Sequence, residues 1–304
     1  METVEKYCNS DMLKIASQFF LCYNNLKRTQ PYREENNMLL TVDIGNTHIN
    51  IGGFQIKDNS VAQTPLFIAR FLTEHRKTDD QYAMAICQLL SLYHIDYHSI
   101  QDVIICSVVP ELSDTMKQAF IKVTGITPML LGPGIKTGLN IRIDNPAQLG
   151  ADLVAGAVAA VAKYPLPCII FDLGTATTIS VIDEKGYFLG GTICAGVSIT
   201  LEALANKTAL LPHINIEKPK TVIGTNTIHS MQSGAIYGTA AMIDGIADRI
   251  EAELGQPATL VATGGLADII IPVCKRKLEL SEHLLLDGLR MIYQKNKVHT
   301  KYTK

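Results

Sequence analysis

Along this chain of 304 residues, the pattern of hydrophobic and polar positions says nearly the same thing twice. An apolar run at 39–42 ends in Asp43, Ile44 and Gly45, with Asn46 and Thr47 behind them. A second run, at 168–171, ends in Asp172, Leu173 and Gly174, with Thr175 behind them. Each reads as a buried strand that delivers a carboxylate to a tight turn, because a strand covered on both faces is continuously apolar rather than alternating. Around the first turn, 39–44, 48–54 and 69–73 predict an antiparallel meander. A helix over 78–93, a buried strand at 102–108, a helix from Pro110 toward Phe120 and a short strand at 128–131 follow. Around the second turn, 168–173, 178–183 and 187–193 are strands, with a hairpin turn at 184–186. Helices are predicted over 199–207 and 227–253, then a last buried strand at 259–263 and a closing helix at 284–293. A glycine-rich connection at 132–138 and an Ala-rich helix at 148–163, a composition with good helix propensity, join the copies. This order predicts an α/β protein of two similar domains around a cleft, with ligands outside the carboxyl ends of the strands.

Residues 1–37 differ from the rest. Leu13, Ala16, Phe19, Phe20 and Tyr23 stand near helical spacing, which predicts one amphipathic helix over 12–26, and the polar stretch 27–37 reads as a linker. The expected division is an extension at 1–37, a first domain at 38–163 and a second at 164–304, with Met38 as the ancestral start.

Composition narrows the field. The chain is 47% hydrophobic and 18% charged, enough for a large core and unlike a disordered chain. A net charge of −2 offers no basic field for nucleic acid. The 7 Cys form no CxxC pair and read as reduced thiols. No apolar stretch reaches the roughly 18 residues of a membrane span, and no secretion signal opens the chain, so a cytoplasmic protein is expected.

The two turns are the leading candidates for chemistry. Exposed backbone N–H groups and hydroxyls in a glycine turn can hold phosphate oxygens, and an adjacent Asp suits the Mg²⁺ that phosphates bring. Asp43 through Thr47 fit that reading, as do Asp172 and Thr175; a plain polar turn is the alternative at each. Asp152, after Gly150 and Ala151, opens the Ala-rich helix. It reads either as a helix-terminal acid that complements the dipole or as a general base for phosphoryl transfer. Gly264-Gly265 would let an adenosine lie against the backbone, or is a simple strand-to-helix turn. There is no GxxxxGK[ST], which excludes a P-loop kinase, and no GxGxxG after a strand.

The paired Asp-Gly-hydroxyl turns and the late Gly-Gly resemble the phosphate and adenosine motifs of the actin, Hsp70 and sugar kinase superfamily. Within it, the chain is similar to the type III pantothenate kinases through VDIGNT (42–47), SVVPEL (107–112), GPGIKTGL (132–139), DNPAQLGAD (144–152), FDLGTATT (171–178), GGTI (190–193), KTALLP (207–212), IGTNTIHSMQSG (223–234) and VATGGLA (261–267). That resemblance implies two ribonuclease-H-like domains facing a central cleft, a homodimer, and transfer of the γ-phosphoryl of ATP to pantothenate, the first step toward coenzyme A. It implies ATP contacts from Asp43, Ile44, Gly45, Asn46, Thr47, His48, Ile49, Asn50, Thr175, Gly264 and Gly265. It further implies acceptor contacts from Gly150, Ala151, Asp152, Leu153 and Thr227, with Asp152 as proton acceptor. Mg²⁺ would be held at Asp43 through water and a monovalent cation, K⁺ or NH4⁺, at Asp172. The partner implied is a small molecule, not nucleic acid or a membrane.

Three positions depart from the family pattern. Leu153 stands where an arginine is expected to grip the pantothenate carboxylate, Ile143 where a tyrosine is common, and Ala195 where a proline is usual. A lost carboxylate contact of that kind costs about 1.5–3 kcal/mol. These changes motivate two alternatives: a paralogue phosphorylating another hydroxyl compound, and a nucleotide-binding regulatory protein without turnover.

Overall fold

A computed structural model describes residues 37–300 except residue 59, with side chains to residue 297. The expected helix at 12–26 lies outside the described residues. The first sheet is built on Met38–Ile44 (β1), whose seven residues are all buried. It lies between His48–Lys57 (β2), antiparallel, and Ile100–Ser107 (β5), parallel. Ser60–Val61 (β3) and Phe67–Leu72 (β4) pair with β2, and Met129–Leu130 (β6) extends the sheet beyond β5.

The second sheet repeats this plan. Cys168–Leu173 (β8) lies between Ala176–Ile182 (β9), antiparallel, and Thr259–Thr263 (β11), parallel. Tyr187–Ala195 (β10) follows β9, and Glu279–Leu280 (β12) follows β11. Strand for strand, β4-β2-β1-β5-β6 in one sheet matches β10-β9-β8-β11-β12 in the other. The doubled pattern of the sequence is thus a doubled topology. Asn140–Ile141 (β7) adds an edge strand beside β10. The two-residue strands β3, β7 and β12 were not expected; pieces so short carry no periodicity to read.

The helices explain the Ala-rich segment. Asp79–Leu92 (α1) and Pro110–Thr124 (α2) cover one face of the first sheet, around Val42, Ile44, Tyr82, Ile86 and Phe120. A capping box between Thr78 and Gln81 starts α1. Ala151–Lys163 (α3) lies between the two sheets. Ala155 and Val158 join the cluster of the first, with Leu39, Phe54 and Cys106, while Ala157 and Ala160 join that of the second, with Ile170 and Phe188. Only small side chains let one helix pack this closely on both sides, and 154–160 are all buried. This helix starts three residues later than expected. Pro146–Gln148 forms a separate 3-10 turn, held by the Asn145 side chain accepting from the Ala147 N–H at 3.2 Å, and Gly150 is the cap residue.

Val197–Lys207 (α4), Thr227–Leu254 (α5) and the short Ala267–Ile270 (α6) belong to the second half, with α5 and α6 against Ile169, Phe171 and Leu260. Leu284–Thr300 (α7) runs beyond its expected end and returns to the first sheet. Its Leu286, Leu289, Ile292 and Tyr293 complete the cluster around Leu39 and Phe54. Tyr293 donates to Asp102 of β5 at 2.8 Å, Lys297 pairs with the same carboxylate at 2.5 Å, and Asp287 accepts from Lys163 of α3 at 2.6 Å. Among the described residues, no helix is long and apolar enough to cross a membrane.

Candidate functional site

Both acidic turns lie at the carboxyl ends of central strands, and they meet. The first is closed by the Gly45 N–H donating to the His48 carbonyl at 2.9 Å. Thr73 pins it from outside: its hydroxyl donates to the Gly45 carbonyl at 2.7 Å, and its N–H donates to the Thr47 carbonyl at 2.9 Å. Asn46 and Thr47 are left exposed at the tip. The Thr47 hydroxyl lies 2.7 Å from that of Thr175 in the second turn. Hydroxyls from the two halves of the chain therefore share one place, 128 residues apart in sequence.

Three carboxylates converge behind this contact. Asp43, at the end of β1, is buried, and burial is the main cause that lifts its carboxyl to about 7. The Asn50 amide, donating to Asp43 Oδ2 at 3.2 Å, opposes that rise, while the charges of Asp172 and Asp152 add to it. Asp172, at the end of β8, is pushed up to about 6, by burial first and by Asp152 second. Asp152, in the first turn of α3, is also raised by burial, against hydrogen bonds from backbone N–H groups, including Leu153 at 2.8 Å. Asp43 thus feels both of the others and Asp172 feels Asp152, yet among the described residues no three acids or imidazoles stand close enough to hold a metal ion between them alone. Desolvated, mutually repelling carboxylates are a donor set that cations relieve.

The neighbouring residues sort by what they offer. Ile44 and Ile49 are fully buried in the first core, so only their backbone faces the turn. The His48 imidazole is held below its ordinary value, by burial and then by the charge of Arg70. Asn50 stands opposite Asp43 on β2, and Arg70 stands opposite Asn50 on β4. Arg70 Nε donates to Asn50 Oδ1 at 3.1 Å, so one row of side chains runs Arg70–Asn50–Asp43. Arg70 was not singled out in the sequence. It is one cation in a mixed strand, and only the cross-strand register brings it to the site.

In the other half, Gly264 follows β11 with φ of +95°, a conformation that favours glycine. A side chain there would also press within 2.7 Å of Asp172 Oδ1 and the Leu173 backbone. Close approach of two strand ends requires this glycine. A Cβ at 150 would meet Asp152 Oδ1, so a side chain there would shift the Asp152 carboxylate. Ala151 and Leu153 are half-buried beside Asp152. Thr227 is the first residue of α5. It lines a cavity of about 740 Å³ with Thr200, Leu204, Leu211, Asn226 and Met231, to which none of the three carboxylates contributes. Ile143, a departure from the expected pattern, packs into the apolar cluster around Phe188.

The chain is similar to known proteins over most of its length. The profile of a family described as type III pantothenate kinase matches residues 39–249. A type III pantothenate kinase of Halalkalibacterium halodurans is 42% identical over 259 residues, covering 85% of this chain and 100% of its own length. One from Anaeromyxobacter sp. strain K is 41% identical over 260 residues, covering 86% and 100%. Among solved structures, an ethanolamine utilization protein EutJ from Carboxydothermus hydrogenoformans overlaps with a TM-score of 0.47 at 14% identity, over 93% of this chain and 98% of its own.

Proposed function

This chain belongs to the type III pantothenate kinase family, and from that premise we propose that it transfers the γ-phosphoryl group of ATP to the hydroxyl of pantothenate, giving 4'-phosphopantothenate. The observation that carries the reading is the meeting of the two strand-end turns, Thr47 against Thr175, with Asp43, Asp152 and Asp172 electrostatically coupled behind them. Phosphoryl transfer asks little covalent work of a protein; positioning and charge neutralisation do most of it.

The residues divide the labour. Gly45 to Thr47 and Thr175 present N–H groups and hydroxyls to the phosphates, while Gly264 and Gly265 leave a bare backbone for the adenosine. Asp152 accepts the proton of the acceptor hydroxyl. A carboxylate raised by burial is a stronger base than a solvated one, and Asp152 is raised in that way. Gly150 and Ala151 keep the acceptor close to it, and Thr227 contacts the acceptor from the cavity at the start of α5. A divalent cation arriving with the phosphates would be held at Asp43 through water and a monovalent cation at Asp172; both would supply positive charge where carboxylates and triphosphate crowd together.

The active form in this proposal is a homodimer. Consecutive elements of the second half carry exposed apolar side chains: Ile193 on β10, Ile199 on α4, and Leu210, Val222 and Ile223 in the following loop, with Leu210 89% and Ile223 81% exposed. Apolar side chains left this exposed favour association where they gather on one surface.

The test is pantothenate turnover, with and without K⁺, followed by ADP release. Turnover at micromolar pantothenate that depends on K⁺ supports the proposal. Turnover of other hydroxyl compounds alone would move it to a different acceptor, and ATP binding without any turnover would make the protein a nucleotide sensor. Leu153→Arg sharpens the acceptor question. Restoring a guanidinium beside Asp152 should lower KM for pantothenate about tenfold. An unchanged KM would mean that the acceptor carboxylate is held elsewhere.

A further inference from the structure

The geometry points to Arg70 as a residue that binds the nucleotide's phosphates from across the cleft, an assignment that rests on the nucleotide reading above. Four observations converge on it. Arg70 is exposed on β4, and its Nε donates to Asn50 Oδ1, which leaves its Nη groups free of that bond. A methyl built on Gly265, in the turn that follows β11 of the opposite half, would stand 3.6 Å from Arg70 Nη1. The planar fork therefore spans from the row that holds Asp43 to the glycine turn of the second half. Its charge reaches the first phosphate turn as well, where it adds to burial in holding the His48 imidazole below its ordinary value. Finally, among the described residues, no carboxylate lies within ion-pair distance of Arg70, although the chain pairs other basic groups such as Arg276 with two acids.

The second half supplies an internal control. Its equivalent row runs Asp172–Thr178–Ile193 through the same strand pairings. The position that is Arg70 in one copy is Ile193 in the other. Scaffolding alone does not demand a cation there. The planar fork matches phosphate geometry with two parallel N–H donors. The amide of Asn50 then has a fixed orientation, acceptor toward Arg70 and donor toward Asp43, so the fork and the acid are set in one rigid line.

The experiment is calorimetric titration of the full chain with ATP and with adenosine, for the native protein, Arg70→Met and Arg70→Lys. A melting curve shows that each exposed-site variant remains folded. The expected result is that Arg70→Met weakens ATP about tenfold to a hundredfold while adenosine is unchanged, with Arg70→Lys between the two. ATP affinity unaltered in Arg70→Met overturns the assignment. Equal weakening of ATP and adenosine also overturns it, because the residue would then serve the base, the sugar or the fold. Failure of the native protein to bind ATP would instead remove the nucleotide reading on which the assignment stands.

Discussion

The two strand–turn–strand units diverge where they could have stayed alike. Both start from an acid at the end of a central buried strand, and both sheets use the same strand order. In the first, the acid is joined by Asn50 and Arg70 in a hydrogen-bonded row that ends in positive charge. In the second, the row passes through Thr178 to Ile193, an apolar side chain that is 74% exposed. The second turn is also one residue shorter, with six positions from Asp172 to Thr178 against seven from Asp43 to Asn50. One copy therefore ends its outer strand in a cation, and the other carries an exposed apolar side chain at the same place. The shared strand order gives the frame, and the third strand is where the two halves differ.

The largest expected effect falls on the residue that belongs to neither row. Asp152→Asn should lower turnover about 10²–10⁴-fold while ATP binding persists, as rates and calorimetry together would register. Retained turnover would move the proton acceptor to another group.

Next comes stability. Asp43 titrates near 7 in the ligand-free fold and near 4 when unfolded, so the folded state binds the extra proton between those values. Ligand-free stability therefore falls as pH rises through that window. Asp43→Asn should remove this loss and raise stability at pH 8 by roughly 1–3 kcal/mol while damaging catalysis. Asp172→Asn should do the same by less, since its carboxyl reaches only about 6. Urea melts at pH 5 and pH 8 would measure both; an equal gain for the two would erase the distinction drawn between the copies.

A smaller effect separates the row ends. Ile193→Asp should weaken self-association about tenfold or more in sedimentation experiments, by placing a charge in an apolar contact. Unchanged association would place the dimer surface elsewhere. Smallest of all, Thr175→Val removes the hydroxyl contact between the turns. An exposed pair of this kind is worth about 0.5–1 kcal/mol, a drop of about 1–3 °C in ligand-free Tm.

The sequence made some of this legible for identifiable reasons. β1 and β8 stand out because a strand covered on both faces must be apolar throughout, and an acid closing such a run is conspicuous. The glycine pairs stand out for a similar reason: Gly264 is forced by its backbone and by the nearness of Asp172. Other features depend on pairing between distant segments, which no local window contains. Arg70 joins Asp43 only through the registers of two strand pairs. The Ala-rich helix was visible, but its place between two sheets was not, because alanine also suits a helix for its propensity alone. The return of α7 to the first sheet likewise leaves no local trace beyond an amphipathic pattern.

That return has a consequence for how the molecule is made. The cluster around Leu39, Phe54 and Cys106 is closed by Leu286, Leu289 and Ile292. A ribosome therefore releases almost the whole polypeptide before the earliest sheet can cover its second face. Until then, the nascent amino-terminal half carries bare apolar surface of the kind that chaperones engage. Shortening the carboxyl terminus by one helix should thus damage the half of the protein that is synthesised first.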